Sequence, residues 1–123
     1  MSESKKSMIK QHLESYKYAM RGILLAFQVE RNMSYHLVAT CAVLLVNFIL
    51  KISHTEWLIT LMLIGMVWTA EIFNTAIEKL ADRVTQERDP IIGQVKDLAA
   101  GGVLVISVAA VICALIIYCP YIA

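Results

Sequence analysis

Apolar positions near the start of the chain recur in steps of three and four: Ile9, Leu13, Tyr16, Met20, Ile23, Leu24 and Phe27. Such steps mark one face of a helix, with Lys10, Glu14, Lys17 and Arg21 at other positions. An amphipathic helix is expected over about 8–31. It either lies in a membrane interface with its cations at anionic headgroups or packs on the protein's own spans. The pattern then changes to long uncharged runs. Leu37–Leu50 is short for a membrane span unless His36 and Lys51 sit in the headgroup region, which predicts a first span over about 36–52. Trp57–Ala70 opens a second, over about 57–80, and no Pro or Gly after Gly65 interrupts its helical character before Asp82. Val84–Gln94 contains Asp89-Pro90 and Gly93 and reads as a loop; a third span follows over about 98–119, ended by Pro120.

Composition sharpens this reading. The chain is 59% hydrophobic, with mean hydropathy +0.65, and a soluble domain of this size has no room inside for that much apolar surface. The fold class expected is an all-α membrane protein, residues 1–123 forming a single domain of one surface helix and three spans. Lys and Arg number six in residues 1–35, one between the first two spans, four from Lys79 to Lys96 and none beyond. The excess of cations on the inner side of membranes therefore places the N-terminus and the Lys79–Lys96 segment in the cytoplasm. A net charge of +1 gives no footprint for nucleic acid. Cys41, Cys113 and Cys119 lie in apolar stretches without metal-ligand spacing and read as small packing residues. No apolar core with a cleavage site precedes Ile23, so a cleaved signal peptide is not expected.

Candidate chemistry sits where the second span ends. Glu71, Asn74, Glu78 and Asp82 stand at helical offsets that fall within a sector of roughly 80° and form one polar stripe. A carboxylate in hydrocarbon costs at least about 2.5–3.5 kcal/mol, so the stripe calls for cations or a wet cavity, and Glu71, next to the apolar run, lies deepest. Glu78 and Asp82 can instead be read as solvated at the helix end. Glu30, at the end of the first helix, and Lys96-Asp97, at the start of the third span, lie on the same side of the membrane. Carboxylates with a lysine suit phosphate chemistry: Mg²⁺ is commonly held by one or two carboxylates plus substrate phosphates, a set Glu30 and Glu78 can supply. A lysine can neutralise charge on a transferring phosphoryl group and a carboxylate can accept a hydroxyl proton. Glycine-rich nucleotide-binding motifs are absent.

The segment Glu71-Ile-Phe-Asn-Thr-Ala-Ile-Glu-x-x-x-Asp, followed after thirteen residues by Lys96-Asp97-x-Ala-Ala-Gly-Gly-Val-Leu, resembles the small bacterial integral-membrane diacylglycerol kinase family, which includes the undecaprenol kinases. The resemblance runs from about Tyr16 to Pro120 and takes in Arg21-Gly22 and Glu30-Arg31-Asn32-Met33. It implies a homotrimer in the bacterial inner membrane that transfers the γ-phosphate of ATP, with Mg²⁺, to a lipid hydroxyl at the cytoplasmic surface. By position, Glu71 matches the catalytic base and Asn74 a polar residue beside it. Glu30 and Glu78 match the metal-coordinating carboxylates. Tyr18, Glu30, Glu78, Glu87, Lys96 and Asp97 match nucleotide-contacting positions, and Glu71 and Ala100 match lipid-contacting ones. Arg88-Asp89-Pro90 departs from the family, which usually carries histidine there, and Gly102 stands where alanine is common. Glu30-Arg31-Asn32-Met33 and the Ala-Ala-Gly run look more like the undecaprenol kinase branch than the diacylglycerol branch.

Two readings from other classes stand beside this one. A small transporter or proton relay would use Glu71 and Glu78, but a relay needs ionisable groups through the membrane's depth. Here the first span offers only Thr40 and Asn47 as polar groups in its apolar run, and the third has no charged residue after Asp97. A purely structural oligomer would leave the carboxylate stripe without a role.

Overall fold

The computed structural model describes residues 2–123 and consists of four α-helices: α1 (Glu3–Val29), α2 (Asn32–Leu50), α3 (His54–Val84) and α4 (Pro90–Ile122). No strand occurs among the described residues. The last three helices are long and apolar enough to cross a membrane. With 31 and 33 residues, α3 and α4 are roughly 46 and 50 Å long and outlast a hydrocarbon core of about 30 Å. Their ends therefore have length to spare for polar chemistry outside the apolar zone.

Each helix boundary has a local cause. The backbone turns extended at Glu30 (φ −118°, ψ 113°), and the Glu30 carboxylate accepts the Asn32 N–H at 3.2 Å. That bond satisfies one of the free donors at a helix start, so α2 begins at Asn32, ahead of the span expected from 36. At the opposite end of α2, Lys51 adopts the left-handed conformation (φ 52°, ψ 53°) and closes the helix. Ser53 then opens α3 three residues before Trp57, through a capping box with Glu56.

The expected loop over 84–94 is shorter than its Pro and Gly suggested. Asp89 caps α4 by accepting from Ile91 and Ile92 at 2.9 and 3.1 Å, and Pro90 occupies the first helical position. Asp89-Pro90 is thus a helix-start signal, and only residues 85–89 connect α3 to α4. Nor does Pro120 end α4, which runs on to Ile122. One turn from the terminus a proline removes a single backbone bond with little helix left to disrupt.

α3 and α4 pack together along their length, α2 lies against α3, and α1 meets both α2 and α3 near its end, where Ala26 is buried and the Phe27 ring lies 5.6 Å from that of Trp68. Among the described residues the buried hydrophobic ones are Ala26, Met33, Ile52, Ala81 and Ile117, and beside them four polar or charged ones are buried: Asn47, Thr60, Glu71 and Thr75. A water-soluble chain buries a far larger share of its apolar side chains and few polar ones. Here apolar side chains cover the outside, and polar side chains join the helices within. The α1 face of Ile9, Leu13, Tyr16, Met20 and Leu24 also remains exposed, so the chain's own spans do not cover it.

Candidate functional site

Two helices meet at the end of the apolar run of α3. Glu71 is buried there, its side chain 8% exposed, and its Oε1 lies 2.8 Å from Nε2 of His36 in the first turns of α2. α2 begins and α3 ends on the same side of the bundle, so the two residues at the edges of the two apolar runs come to one level. Around them, Thr40 donates to the His36 carbonyl at 2.7 Å and accepts from Trp68 Nε1 at 2.9 Å. His36, Thr40, Trp68 and Glu71 thus form one connected polar patch between α2 and α3. A cavity of about 160 Å³, lined by His36, Thr40, Val43, Val67, Trp68 and residues deeper in the bundle, adjoins it.

Asn74, one turn beyond Glu71, has a buried Oδ1 with no hydrogen-bond partner among the described residues. An acceptor left so costs about 1–3 kcal/mol. It stands ready for a donor or cation from outside the single chain. Thr75 contributes nothing to this polar face, since its hydroxyl bonds back to the Glu71 carbonyl at 2.9 Å.

Farther along, Asp82 accepts from Lys96 Nζ at 2.6 Å, an exposed contact that ties the end of α3 to the first turns of α4. An exposed pair of this kind is worth only about 0–1 kcal/mol, so the lysine can exchange partners at small cost. Glu78 is half-buried between Glu71 and Lys96 in the chain order of the site, and Asp97 is exposed next to Lys96. Glu87 lies in the exposed connection, its backbone N–H donated to Thr85 at 3.1 Å. Tyr18 is exposed on α1, with the Arg21 guanidinium 5.4 Å from its ring centroid. Ala100 is exposed on α4.

The expected residues therefore divide. Glu71 and Asn74 share a partly buried polar face on α3, and Lys96 joins it through Asp82. The Glu30 carboxylate is engaged by the Asn32 N–H at the start of α2. No group of three His, Cys, Asp or Glu side chains among those residues is close enough to hold a metal ion. Hard carboxylate oxygens without a full protein cage fit an ion such as Mg²⁺, which keeps waters and is shared with substrate phosphates. They do not fit a structural metal.

His36 is the residue that sequence reasoning placed without giving a role. In the sequence it only flanks the first apolar run, and in the fold it is the hydrogen-bond partner of Glu71. The signal was available in the topology: in antiparallel neighbours, the start of one apolar run lies level with the end of the next.

The fold and site together define a helical membrane protein with a carboxylate-rich centre at one end of its spans. Residues 17–118 match the family of prokaryotic diacylglycerol kinases. The chain belongs to that family of membrane kinases. It is 37% identical over 119 residues to the undecaprenol kinase of Bacillus subtilis, covering 97% of each chain. Similarity extends to a diacylglycerol kinase of Synechocystis, 33% identical over 81% of this chain and 58% of that one. A diacylglycerol kinase of Haemophilus influenzae is 26% identical over 76% of this chain and 79% of its own.

Proposed function

We propose that the chain is a lipid kinase that transfers the γ-phosphate of ATP to the hydroxyl of a membrane alcohol, with undecaprenol the preferred acceptor. The observation that carries the reading is the Glu71 carboxylate, buried at the end of an apolar run, held by one donor, with the unpartnered Asn74 acceptor one turn away. A buried carboxylate at that level fits a base for a hydroxyl presented from the bilayer. The preference for undecaprenol rests on the near full-length similarity to an undecaprenol kinase.

In this reading the lipid hydroxyl oxygen attacks the γ-phosphorus, the bond to the bridging oxygen of ADP breaks, and Glu71 takes the hydroxyl proton. Asn74 accepts a hydrogen bond within the same site. Glu30 and Glu78 would hold Mg²⁺, which would supply screening of the phosphate charge. Lys96 exchanges Asp82 for a phosphate oxygen, Tyr18, Glu87 and Asp97 contact the nucleotide, and Ala100 lines the lipid side. The active form is a homotrimer in the bacterial cell membrane, with α1 on the cytoplasmic surface and its exposed apolar face against lipid or a neighbouring subunit. A proton relay gains no support. Inside the opposite half, Asn47, Thr60 and Tyr118 bond one another and none is a carboxylate or a base, while the carboxylate at that end, Glu56, is tied to the exposed helix start by Ser53 and Tyr121.

Purified protein in phospholipid vesicles, supplied with ATP and Mg²⁺, tests the acceptor when undecaprenol and diacylglycerol compete in one reaction. Faster phosphorylation of undecaprenol is expected. Preference for diacylglycerol would move the chain to the other branch.

A further inference from the structure

The geometry points to His36 as the positioning residue for Glu71, the group that fixes which way the carboxylate faces; the inference rests on the reading of Glu71 as the base. A glutamate has three rotatable bonds between backbone and carboxylate, and a base that swings freely loses the alignment on which proton transfer depends. Nothing in α3 itself restrains Glu71, because the backbone donors of a helix interior are already spent on their own ladder. The restraint comes from α2. His36 Nε2 is the hydrogen-bond partner of Glu71 Oε1 at 2.8 Å. Oε2 has no partner among the described residues and is not sealed from the surroundings.

A carboxylate can only accept, so Nε2 carries the proton and donates. One oxygen is thereby occupied by the protein and the other is left for the substrate. The bond forms at the edge of an apolar cavity, where a charge-assisted hydrogen bond is stronger than in water.

His36 is itself held in place. Its carbonyl accepts from Thr40, Thr40 accepts from Trp68, and Trp68 packs on Phe27 of α1 at 5.6 Å. These contacts bring α1, α2 and α3 together at the turn of α2 that carries His36. The last of these contacts is with α1, through Phe27. A headgroup-facing residue would be exposed, but the His36 side chain is only 25% exposed and is turned to a partner 35 positions away.

The test compares His36→Ala, His36→Gln and Glu71→Gln in vesicles with ATP, Mg²⁺ and undecaprenol. Glutamine carries an N–H donor at a reach similar to imidazole Nε2 and cannot ionise. Loss of one charge-assisted bond lowers kcat in His36→Ala by roughly 10–100-fold, with KM for ATP within about twofold of wild type. His36→Gln recovers most of that loss. A kcat in folded His36→Ala within about twofold of wild type, or a His36→Gln protein as impaired as His36→Ala, would overturn the inference while Glu71→Gln remains inactive. An active Glu71→Gln protein would remove the base reading itself, and with it the ground for a positioning role. A measurement on the intact fold stands beside the kinetics. With nitrogen-15-labelled imidazoles, the His36 signal, identified by its absence in His36→Gln, shows the proton on Nε2 and moves in Glu71→Gln. A neutral ring protonated at Nδ1 alone would contradict the assignment whatever the variants do.

Discussion

Asn47 is fully buried, donates to Thr60 at 2.9 Å and accepts from the Tyr118 hydroxyl, so one side chain joins α2, α3 and α4. Inside a membrane bundle apolar burial gives helices little reason to associate, and such bonds, each worth about 0.6–2 kcal/mol, carry part of the packing. Replacing Asn47 by Leu deletes two of them and leaves the Tyr118 hydroxyl unpaired. A loss of about 1–3 kcal/mol is expected in reversible denaturation in detergent micelles. Phosphotransfer should be largely kept by the protein that stays folded, because Asn47 lies at the far end of the bundle from Glu71. Lys51 makes the opposite prediction. Its left-handed backbone costs a non-glycine residue about 1 kcal/mol, so Lys51→Gly should raise stability by up to about that amount in the same measurement.

Helix boundaries explain both what the sequence made legible and what it did not. The three apolar runs were readable because each is long and uncharged, and Glu71 stood out as the first charge after one of them. The start of α4 is hard to see in the sequence because Pro and Gly also break helices, whereas Pro90 follows the capping Asp89 and so begins one. The partner of Glu71 was missed for another reason: hydrophobic periodicity describes one helix at a time, and the His36–Glu71 contact joins two. The Asn74 acceptor and the Lys96–Asp82 pair belong to the same class of fact. Asp89→Ala tests the helix-start account directly. Loss of a cap bonded to two N–H groups should cost about 0.5–2 kcal/mol and weaken amide-exchange protection at Ile91 and Ile92 before any other part of α4. Uniform protection along α4 in the variant would contradict it.

At the scale of the whole molecule, the single chain leaves most of its large apolar side chains uncovered, and no complete metal site comes together among the described residues. Lipid covers apolar faces of a membrane bundle, and in the proposed homotrimer a neighbouring subunit would cover the rest and supply the missing wall of the site. If Glu30 of one chain works with Glu71 of another, mixing inactive Glu30→Ala with inactive Glu71→Gln, after dissociation and reassembly, restores part of the activity. Verified mixed trimers that stay inactive would place both carboxylates within one chain.

The central claim, that this membrane protein phosphorylates a lipid hydroxyl with Glu71 as base, is tested most directly by following label from the γ-phosphate of ATP into undecaprenol in vesicles. Wild-type protein should transfer it. Folded Glu71→Gln should fall at least about 100-fold below, since the amide keeps the shape of the side chain but cannot accept the proton. Label appearing in the lipid at a comparable rate with Glu71→Gln, or no label in the lipid with folded wild-type protein, would contradict the account.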